Sequence, residues 1–501
     1  MSAVHRNLFA NYLGQGWAAL INLAIIPVYI SLLGMESYGL LGIFAIVQTC
    51  FAALDAGMTP TLNREMARYA AGSHSPQSIN DLVRSIEIVC STLLVTLVAL
   101  GFLGAEWVAA HGIGANSLGQ ETIANALRLI AIVAALRMLE GVYRGAILGL
   151  QRHAWLNVWI AGLATLRAAG AVATLKWIEP SIGAFFVWQV LTSILAVAVF
   201  ACTTHRALPK CKARFNLHAL SRVKGFAGGI VGTSLLALAL SQFDKLLLVR
   251  LLPLAAFASY SLAATVANSL YQLVSPVAQA YYPRLTELVT LENREGLATG
   301  YHMGAQLLAV AVLPAAMLLI VMGRPILQLW TADPALSTAT APLLSLLAAG
   351  CLFNGVMHMP YMLQLAHGWS SFAFRVNVVS AIIYVPALFL ITTRHGAIGA
   401  AACWFVLNLI TVLVFVPLMH RRLLPLEMTR WYVQDLLLPL ASVVAILAVL
   451  SLLQPVGMTK LGQAGYLAAT GAMAVGGCIL ASGRLRHALA LRLRRAGQRR
   501  R

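Results

Sequence analysis

The chain has 501 residues, of which 60% are hydrophobic and only 10% are charged, and its net charge is +19. Soluble domains carry roughly 25% charged residues, so this composition excludes a soluble enzyme with a few large cores and a charged surface. In a chain this apolar, we attribute the positive charge to basic residues that anchor loops at one membrane face rather than to nucleic-acid binding.

Long apolar stretches recur from one end of the chain to the other, and each is long enough to cross a bilayer. We therefore predict an all-α polytopic membrane protein with about 14 transmembrane helices. We expect the N-terminal stretch to be retained as the first span, because it lacks a small-residue cleavage site. The predicted spans are 7–33, 38–63, 83–107, 119–148, 154–177, 181–203, 225–251, 256–283, 301–323, 340–365, 373–393, 397–418, 433–453 and 463–482.

Lysine and arginine are distributed unevenly between the two sides of the predicted membrane. Basic residues of membrane proteins are enriched in cytoplasmic loops, and nearly all of those outside the spans fall on one side here. The predicted outer segments hold only Lys176, Arg250, Arg324, Arg394 and Lys460. We therefore predict that both termini are cytoplasmic. No loop is long enough to hold a folded domain, so we expect the function to lie within the membrane.

A weak internal repeat relates the two halves of the chain. The junction of spans 1 and 2 (31–47) resembles the junction of spans 7 and 8 (249–267), and spans 2 and 8 both end with Pro shortly before Arg. Parallel repeats are typical of some transporters, and this one predicts two six-helix lobes around a central cavity plus two C-terminal helices. The predicted domains are an N-terminal lobe at 1–205, a basic linker at 206–224, a C-terminal lobe at 225–420, spans 13 and 14 at 421–482 and a basic tail at 483–501.

Ionisable residues within the spans are the candidates for function, because a charge in the bilayer is costly unless it faces a cavity or another charge. Span 4 carries Arg137, Glu140 and Arg144. At 100° per residue, Arg144 lies about 20° and Glu140 about 60° from Arg137 around the helix axis, so the three share one face. Span 5 adds Arg167 near its middle, and Asp55 lies in the inner half of span 2.

Basic residues outnumber acidic ones in the full candidate set. Span 7 contributes Asp244 and Lys245, which point about 100° apart and need not pair. Arg64 and Arg284 lie at the inner ends of spans 2 and 8. A cavity with excess positive charge favours an anionic substrate, and a guanidinium group can bind a phosphate through two parallel hydrogen bonds.

Structural roles are open for several of these residues. Glu140 could pair with Arg137 or Arg144 to hold helices together. Arg64 and Arg284 could serve only as topology anchors at helix ends.

Two histidines in apolar contexts, His302 and His358, are interpreted as satisfied core groups rather than metal ligands. No His, Cys and Asp spacing in the sequence indicates a metal site. The glycine-rich loop that nucleotide hydrolases use to bind phosphate is also absent. We therefore predict no bound cofactor.

Five short motifs along the chain form a recognisable set. They are the "LLG" and "YGLLG" junction of spans 1 and 2, the aspartate and glycine of span 2 with arginine after them, "RGAILGLQRH" closing span 4, "SQFDKLLL" in span 7 and "YYPRL" at the end of span 8. Over spans 1 to 12 the chain resembles the polysaccharide transporter family, the O-antigen flippases of the multidrug/oligosaccharidyl-lipid/polysaccharide exporter superfamily.

The resemblance implies a flippase of the bacterial inner membrane. Such a protein moves undecaprenyl-pyrophosphate-linked oligosaccharide, an O-antigen or exopolysaccharide repeat unit, from the cytoplasmic to the periplasmic leaflet by alternating access. Its partners would be that lipid, the bilayer, and the polysaccharide polymerase and chain-length machinery, with no nucleic acid. Carried onto this chain, the candidates for pyrophosphate binding are Arg64, Arg137, Arg144, Arg167, Lys245 and Arg284, and those for coupling to H+ or Na+ are Asp55, Glu140 and Asp244.

Three other functional classes remain open. A lipid-linked peptidoglycan precursor flippase can also have fourteen spans, and charge does not exclude it. A multidrug antiporter for organic cations would favour an acidic or neutral cavity, unlike this one. A membrane polymerase or glycosyltransferase usually carries a sizeable outer loop with catalytic groups, whereas the outer loops of this chain are short.

Overall fold

The computed structural model describes residues 16–487 apart from 56–57, 71, 73, 116, 219, 222–237, 239–241 and 456, and the side chains of Leu54, Asp55 and Ser370 are also outside the description. The chain divides into two compact units, Met1–Ala258 and Ser259–Arg501. The predicted linker at 206–224 extends onto residues outside the described ranges, and the predicted domain boundaries stay predictions.

The described part of the first unit is built from helices. Ser75 and Ser181 cap two of these helices, because each hydroxyl oxygen accepts a hydrogen bond from a backbone N–H of the first turn. The described helices are α1 (Ile26–Asp55), α2 (Met58–Ala70), α3 (Pro76–His111), α4 (Gln120–Gly149), α5 (His153–Trp177), α6 (Ile182–Ala207) and α7 (242–251), with further helical turns at 16–24.

The rest of the chain is also helical where it is described. Asp333 caps the helix that follows it by accepting hydrogen bonds from the backbone N–H groups of Ala335 and Leu336. The helices are α8 (Leu254–Asn268), α9 (Tyr271–Thr290), α10 (Arg294–Thr331), α11 (Pro334–Val356), α12 (His358–Ala366), α13 (Ser370–Ile410), α14 (Val416–Leu423), α15 (Leu438–Leu452) and α16 (Lys460–Ala481), with π-helical turns at Thr411–Phe415 and Trp431–Leu437.

Within the described ranges, ten helical segments are long and apolar enough to cross a membrane. This confirms an all-helical, multi-pass membrane protein. Predicted span 7 (225–251) lies largely outside the described residues, and predicted span 8 (256–283) is divided between α8 and α9. The predicted total of about 14 spans and their arrangement in two six-helix lobes stay predictions.

Two of the long helices are interrupted at a glycine. Gly34 in α1 has φ 78° and ψ 169°, and Gly396 in α13 has φ 57° and ψ −140°. A residue with a Cβ rarely adopts such a positive φ, whereas glycine does so readily. Each break falls at the predicted junction of two consecutive spans, so each of these helices contains parts of two predicted spans.

Predicted span 2 (38–63) includes residues 56 and 57, which lie outside the described residues. Helix α1 is described as far as Asp55, and α2 is described from Met58. Arg64 lies on α2, and the predicted inner end of span 2 stays a prediction.

Helix α4 is central to the first unit, where it packs against α1, α2, α3 and α6. Small residues permit its close approach to α2. A Cβ on Gly145 would lie 2.6 Å from the carbonyl oxygen of Thr59, and one on Gly149 would overlap the carbonyl oxygen of Asn63. The α4–α2 packing thus requires glycine at these two positions. In the second unit, α10 packs against α9, α11, α15 and α16.

Candidate functional site

A buried carboxylate on α4 joins two arginines of the first unit. Glu140 is 4% exposed, and its Oε2 accepts a hydrogen bond of 2.6 Å from Nη2 of Arg167 on α5. Its Oε1 lies 3.9 Å from Nη1 of Arg144, one helical turn farther along α4. Of the two pairings considered from the sequence, Arg144 is in contact and Arg137 is not. The closest partner, Arg167, comes from the next helix.

Arg137 lies on the same face of α4, but its hydrogen-bond partners are neutral. Its Nη1 donates to Oε1 of Gln48 on α1 at 2.9 Å, and its Nη2 donates to Oε1 of Gln189 on α6 at 2.8 Å. The guanidinium carbon lies 4.9 Å from the centre of the Phe44 ring. These contacts orient the guanidinium group by hydrogen bonds and a cation–π interaction. Arg137 makes no ion pair with any carboxylate whose side chain is described.

The site retains hydrogen-bond donors without acceptors. The Nε atoms of Arg137 and Arg167 are both buried, and neither has a hydrogen-bond partner within the described part of the chain. Three guanidinium groups and one carboxylate meet on the α4–α5 side of the unit, so positive charge exceeds negative charge among these residues. A buried cation of this kind is costly without an anionic partner.

Glu87 and Glu65 are also buried carboxylates of the first unit, and each has several polar partners. Glu87 on α3 is 5% exposed and accepts a 2.9 Å hydrogen bond from the hydroxyl group of Tyr143. Its Oε1 also lies 2.7 Å from Nε2 of His205, and its Oε2 lies 3.5 Å from Nη1 of Arg84. Tyr143 is three positions after Glu140 on α4, about 60° around the helix axis, so this cluster lies next to Glu140 along the polar face of α4.

Glu65 on α2 forms the second of these clusters. It is 3% exposed and pairs with His74 at 2.7 Å and with Arg68 at 3.2 Å. The predicted residue Arg64 lies 3.8 Å from Glu65, and half of its side chain is exposed. Arg64 therefore pairs with Glu65, and it has no described contact with Glu140, the carboxylate that pairs with Arg144 and Arg167.

The remaining predicted residues have local partners or lie outside the description. Lys245 donates to Oε1 of Gln242, one turn earlier in α7, at 3.1 Å, and Asp244 is 8% exposed. Arg284 on α9 pairs with Glu287 at 2.7 Å, and both side chains are more than half exposed. The side chain of Asp55 lies outside the described residues, so its predicted role stays a prediction.

The second unit contains a buried polar network that was missed from the sequence. His302 on α10 is 1% exposed; its Nδ1 is hydrogen-bonded to Oδ2 of Asp435, and its Nε2 lies 2.9 Å from Oε2 of Glu427. Gln306 donates to Oδ1 of Asp435 at 2.8 Å and accepts from the backbone N–H of Arg484 at 3.0 Å. His302 is thus a satisfied core group, as expected, but its two carboxylate partners were not anticipated.

The amides around Arg137 were also missed. Gln48 and Gln189 each interrupt an otherwise apolar run, "IFAIVQTC" and "FFVWQVL". A polar amide within a membrane helix usually faces another helix and forms a hydrogen bond there. A search for uncharged polar residues inside the spans would therefore have found Gln48 and Gln189, whereas a search for ionisable residues alone does not.

A family model described as "Polysaccharide biosynthesis protein" matches residues 4–289, which is more than half of the chain. The chain belongs to this family. A second model, MatE, matches residues 230–390. A Shigella flexneri protein named as an O-antigen transporter is 19% identical over 403 residues, covering 80% of this chain and 94% of that protein.

Solved structures agree with this family at the level of the fold. The lipid II flippase MurJ, in an inward closed conformation, matches with a TM-score of 0.71 at 12% identity, over 96% of this chain and 99% of that one. An inward-facing multidrug resistance MATE family transporter of the MOP superfamily matches with a TM-score of 0.67 at 15% identity, over 82% of this chain and 96% of that one. Together with the family matches and the relative named as an O-antigen transporter, this fold makes the chain a membrane transporter of that superfamily and not an enzyme.

Proposed function

We propose that this transporter is a flippase for an undecaprenyl-pyrophosphate-linked oligosaccharide, an O-antigen or exopolysaccharide repeat unit. The observation that carries the proposal is Arg137, a partly buried cation held by neutral amides beside the Glu140–Arg167 pair. In this proposal the pyrophosphate supplies the negative charge that Arg137 lacks. The likeness to a protein named as an O-antigen transporter supports a lipid-linked saccharide as the substrate.

Hydrogen bonding supports the same substrate class. Glu140 compensates part of the charge of Arg167 and Arg144, whereas the described contacts of Arg137 are to uncharged groups. Phosphate oxygens are strong acceptors that match the planar donors of a guanidinium group. An organic cation would instead be repelled by this group, which disfavours a multidrug antiporter for cations.

We assign different roles to the candidate residues within this proposal. Arg137 and Arg167 contact the pyrophosphate, and Arg144 extends the basic face along α4. Arg64, Lys245 and Arg284 have no described contact with Glu140. In this proposal they act on the substrate separately from the three arginines beside Glu140. Glu140 holds the arginines in position and is a candidate for H+ or Na+ coupling together with Asp55 and Asp244.

The membrane potential supplies a driving force for this direction of transport. A diphosphate with about two negative charges would be driven outward by roughly 4–5 kcal/mol at 100 mV, since each charge contributes about 2.3 kcal/mol. In the proposal, two six-helix lobes alternate between inward and outward access in the inner membrane, with both termini in the cytoplasm. The polysaccharide polymerase and chain-length machinery would act on the product.

The test is complementation of a strain that lacks this gene. We expect deletion to trap lipid-linked oligosaccharide on the cytoplasmic leaflet, and the intact protein to relieve it. Arg137→Gln, expressed at the normal level, should fail to relieve the accumulation, because glutamine keeps polar contacts but removes the charge. Arg394→Gln is the matched control, since it removes one exposed positive charge and should complement.

Each of the other possible results supports a different explanation. Relief by Arg137→Gln as complete as by the intact protein would reject the role of Arg137 in binding the pyrophosphate. Trapping of a peptidoglycan precursor instead of the oligosaccharide lipid would identify the precursor flippase. Increased sensitivity to cationic drugs without lipid accumulation would identify the antiporter.

A further inference from the structure

Two buried histidines of the second unit differ in the number of protons that their hydrogen bonds require. His420 on α14 is fully buried; its Nδ1 lies 3.0 Å from the backbone carbonyl oxygen of Val416, and its Nε2 lies 3.1 Å from the hydroxyl group of Tyr301. A carbonyl oxygen only accepts, so Nδ1 carries a proton, and the hydroxyl group can donate to Nε2. A neutral ring with one proton therefore satisfies both contacts of His420.

Both ring nitrogens of His302 face carboxylate oxygens instead. Its Nδ1 is hydrogen-bonded to Oδ2 of Asp435, and its Nε2 lies 2.9 Å from Oε2 of Glu427. An ionised carboxylate only accepts, and a neutral imidazole ring has one donor. Each of the two contacts needs its own proton, so the network holds one proton more than a neutral histidine between two ionised carboxylates would.

Gln306 shows that Asp435 accepts hydrogen bonds. Its Oε1 accepts from the backbone N–H groups of Arg484 at 3.0 Å and Leu485 at 3.2 Å, which orients the amide group. Its Nε2 therefore donates to Oδ1 of Asp435 at 2.8 Å. We assign both shared protons to the ring of His302, because imidazole is ordinarily more basic than a carboxylate, with pKa values of about 6.5 and about 4.

The charges around the protonated ring are balanced. Arg430 donates to both oxygens of Glu427, at 3.2 and 3.1 Å, which keeps this carboxylate an acceptor. Together, Arg430 and a protonated His302 match the two negative charges of Glu427 and Asp435. Within the described ranges, further titratable groups that face this network from neighbouring elements are Tyr301, His420, Tyr432 and Arg484.

One end of the network reaches the surface. The exposed fraction of the side chain falls from 57% at Arg430 to 14% at Glu427 and 1% at His302. Asp435, at the other end, is 2% exposed. A proton from the solvent can therefore enter at Oε2 of Glu427 and pass to Nε2 of His302, and it can return to the solvent by the same two atoms.

We propose that Glu427, His302 and Asp435 form a proton-binding site, which takes up one proton from the solvent and releases it between about pH 5 and 8, where histidine changes its charge. Release leaves the lone pair of Nε2 facing an oxygen of Glu427, which weakens the contact between α10 and the connection before α15. The site goes beyond the proposed function, whose candidates for ion coupling are Asp55, Glu140 and Asp244. It does not depend on which lipid is transported.

The test counts the ring protons of His302 in the full-length protein in nanodiscs. Nitrogen NMR of isotope-labelled histidine distinguishes a ring with one N–H group from a ring with two, and the His302 signal is identified by its absence from His302→Gln. We expect two ring protons at about pH 5 and one at about pH 8. His420, whose signal is identified in the same way, should carry one ring proton at both values.

Glu427→Gln separates proton binding from packing. The amide group of glutamine can donate to Nε2, so the contact can form with a neutral ring. The midpoint of the His302 titration should move down by about 1 to 2 pH units, which is the loss of one charge-assisted hydrogen bond converted at about 1.4 kcal/mol per unit. Glu295→Gln, the same change at an exposed position of α10, should titrate as the unaltered protein does.

Arg430→Gln provides a second variant at an exposed side chain. Without this positive charge, Glu427 should hold the proton on His302 more strongly, and the midpoint should move to higher pH. A shift to lower pH would contradict the proposed role of Glu427. Arg137→Gln should leave the titration unchanged, so a failed pyrophosphate hypothesis would not affect this result.

Two further results would overturn the proton-binding site. The first is a constant number of ring protons on His302 between about pH 5 and 8, whether that number is one or two. The second is an equal titration midpoint in the unaltered protein and in Glu427→Gln. A purely structural role of Glu427 would give this second result, together with a lower midpoint of thermal unfolding for the variant.

Discussion

In the first unit, Glu140 shares its oxygens between Arg167 and Arg144, and Arg137 beside it is held only by neutral groups among the described side chains. In the second unit, His302 lies between two carboxylates, Asp435 and Glu427. Glu140 and His302 are both buried. The first network has surplus positive charge and unpaired donors, whereas both ring nitrogens of His302 have acceptors.

The network of the first unit can therefore accept an anionic ligand, whereas the network of the second unit holds helices together. Arginine stays charged under all cellular conditions, so the surplus in the first unit persists until an anion enters. In the second unit, Gln306 extends the network to the backbone of Arg484, and Asp435 and Glu427 come from the segment before α15. His302 therefore ties α10 to the C-terminal helices.

The largest effect is expected for Glu140→Gln. Removing this buried carboxylate leaves Arg167, which is 18% exposed, and Arg144, which is 40% exposed, without their shared negative partner. This should lower the free energy of unfolding by about 3–5 kcal/mol. Denaturant unfolding in detergent measures this. The matched control is Glu106→Gln, which breaks the pair with Arg128 at a carboxylate that is 76% exposed; such surface pairs contribute about 0–1 kcal/mol. Equal losses for both variants would contradict the structural importance of Glu140.

A smaller, local effect is expected for His302→Ala. It removes hydrogen bonds to two carboxylates, and each bond to a charged group contributes about 1.5–3 kcal/mol. We expect α16 to open locally, so that Cys478, which is fully buried in α16, becomes reactive to maleimide in a variant without other cysteines. Labelling of Cys478 no faster than in the His302 parent would show that the network does not hold this helix.

Gly149→Ala tests the packing of α2 on α4. The added methyl group would overlap the carbonyl oxygen of Asn63, and overpacking of this kind costs about 1–3 kcal/mol. We expect a lower midpoint of thermal unfolding. Gly162→Ala in α5 is the control, because a Cβ there meets nothing within 4 Å, and it should be neutral or stabilising. Identical midpoints for the two variants would contradict the close contact.

The smallest effect concerns acidification at Glu427, which lies in the connection between α14 and Met428. Burial alone raises the pKa of Glu427, but hydrogen bonds from His302 and Arg430 outweigh it and lower the pKa below its ordinary value of 4.5. A lowered native pKa means that the stabilisation is present above the unfolded value and is lost as the pH falls through the native one. The stability difference between the unaltered protein and Glu427→Gln should therefore shrink below pH 4.5. A difference that grows on acidification would contradict this sign.

Much of the helical pattern was predictable, because an apolar run of membrane length has few alternatives to a helix. The face shared by Arg137, Glu140 and Arg144 also followed from helix geometry alone.

Partner choice between helices could not be predicted. Glu140 had candidate partners in its own helix, yet its closest partner is Arg167 from α5. His302 and Asp435 are separated by 133 positions, and no periodicity relates residues so far apart. Contacts of this kind depend on which helix faces pack together, which is a property of tertiary structure.

The most direct test of the charge surplus is the affinity for a diphosphate lipid. Binding of farnesyl diphosphate and of uncharged farnesol would be measured with the protein in nanodiscs, before and after Arg137→Gln. Loss of a charge-assisted hydrogen bond of about 1.5–3 kcal/mol predicts roughly 10- to 100-fold weaker binding of the diphosphate, with farnesol unchanged. Equal diphosphate affinity in both proteins would contradict the assignment of Arg137 to an anionic substrate.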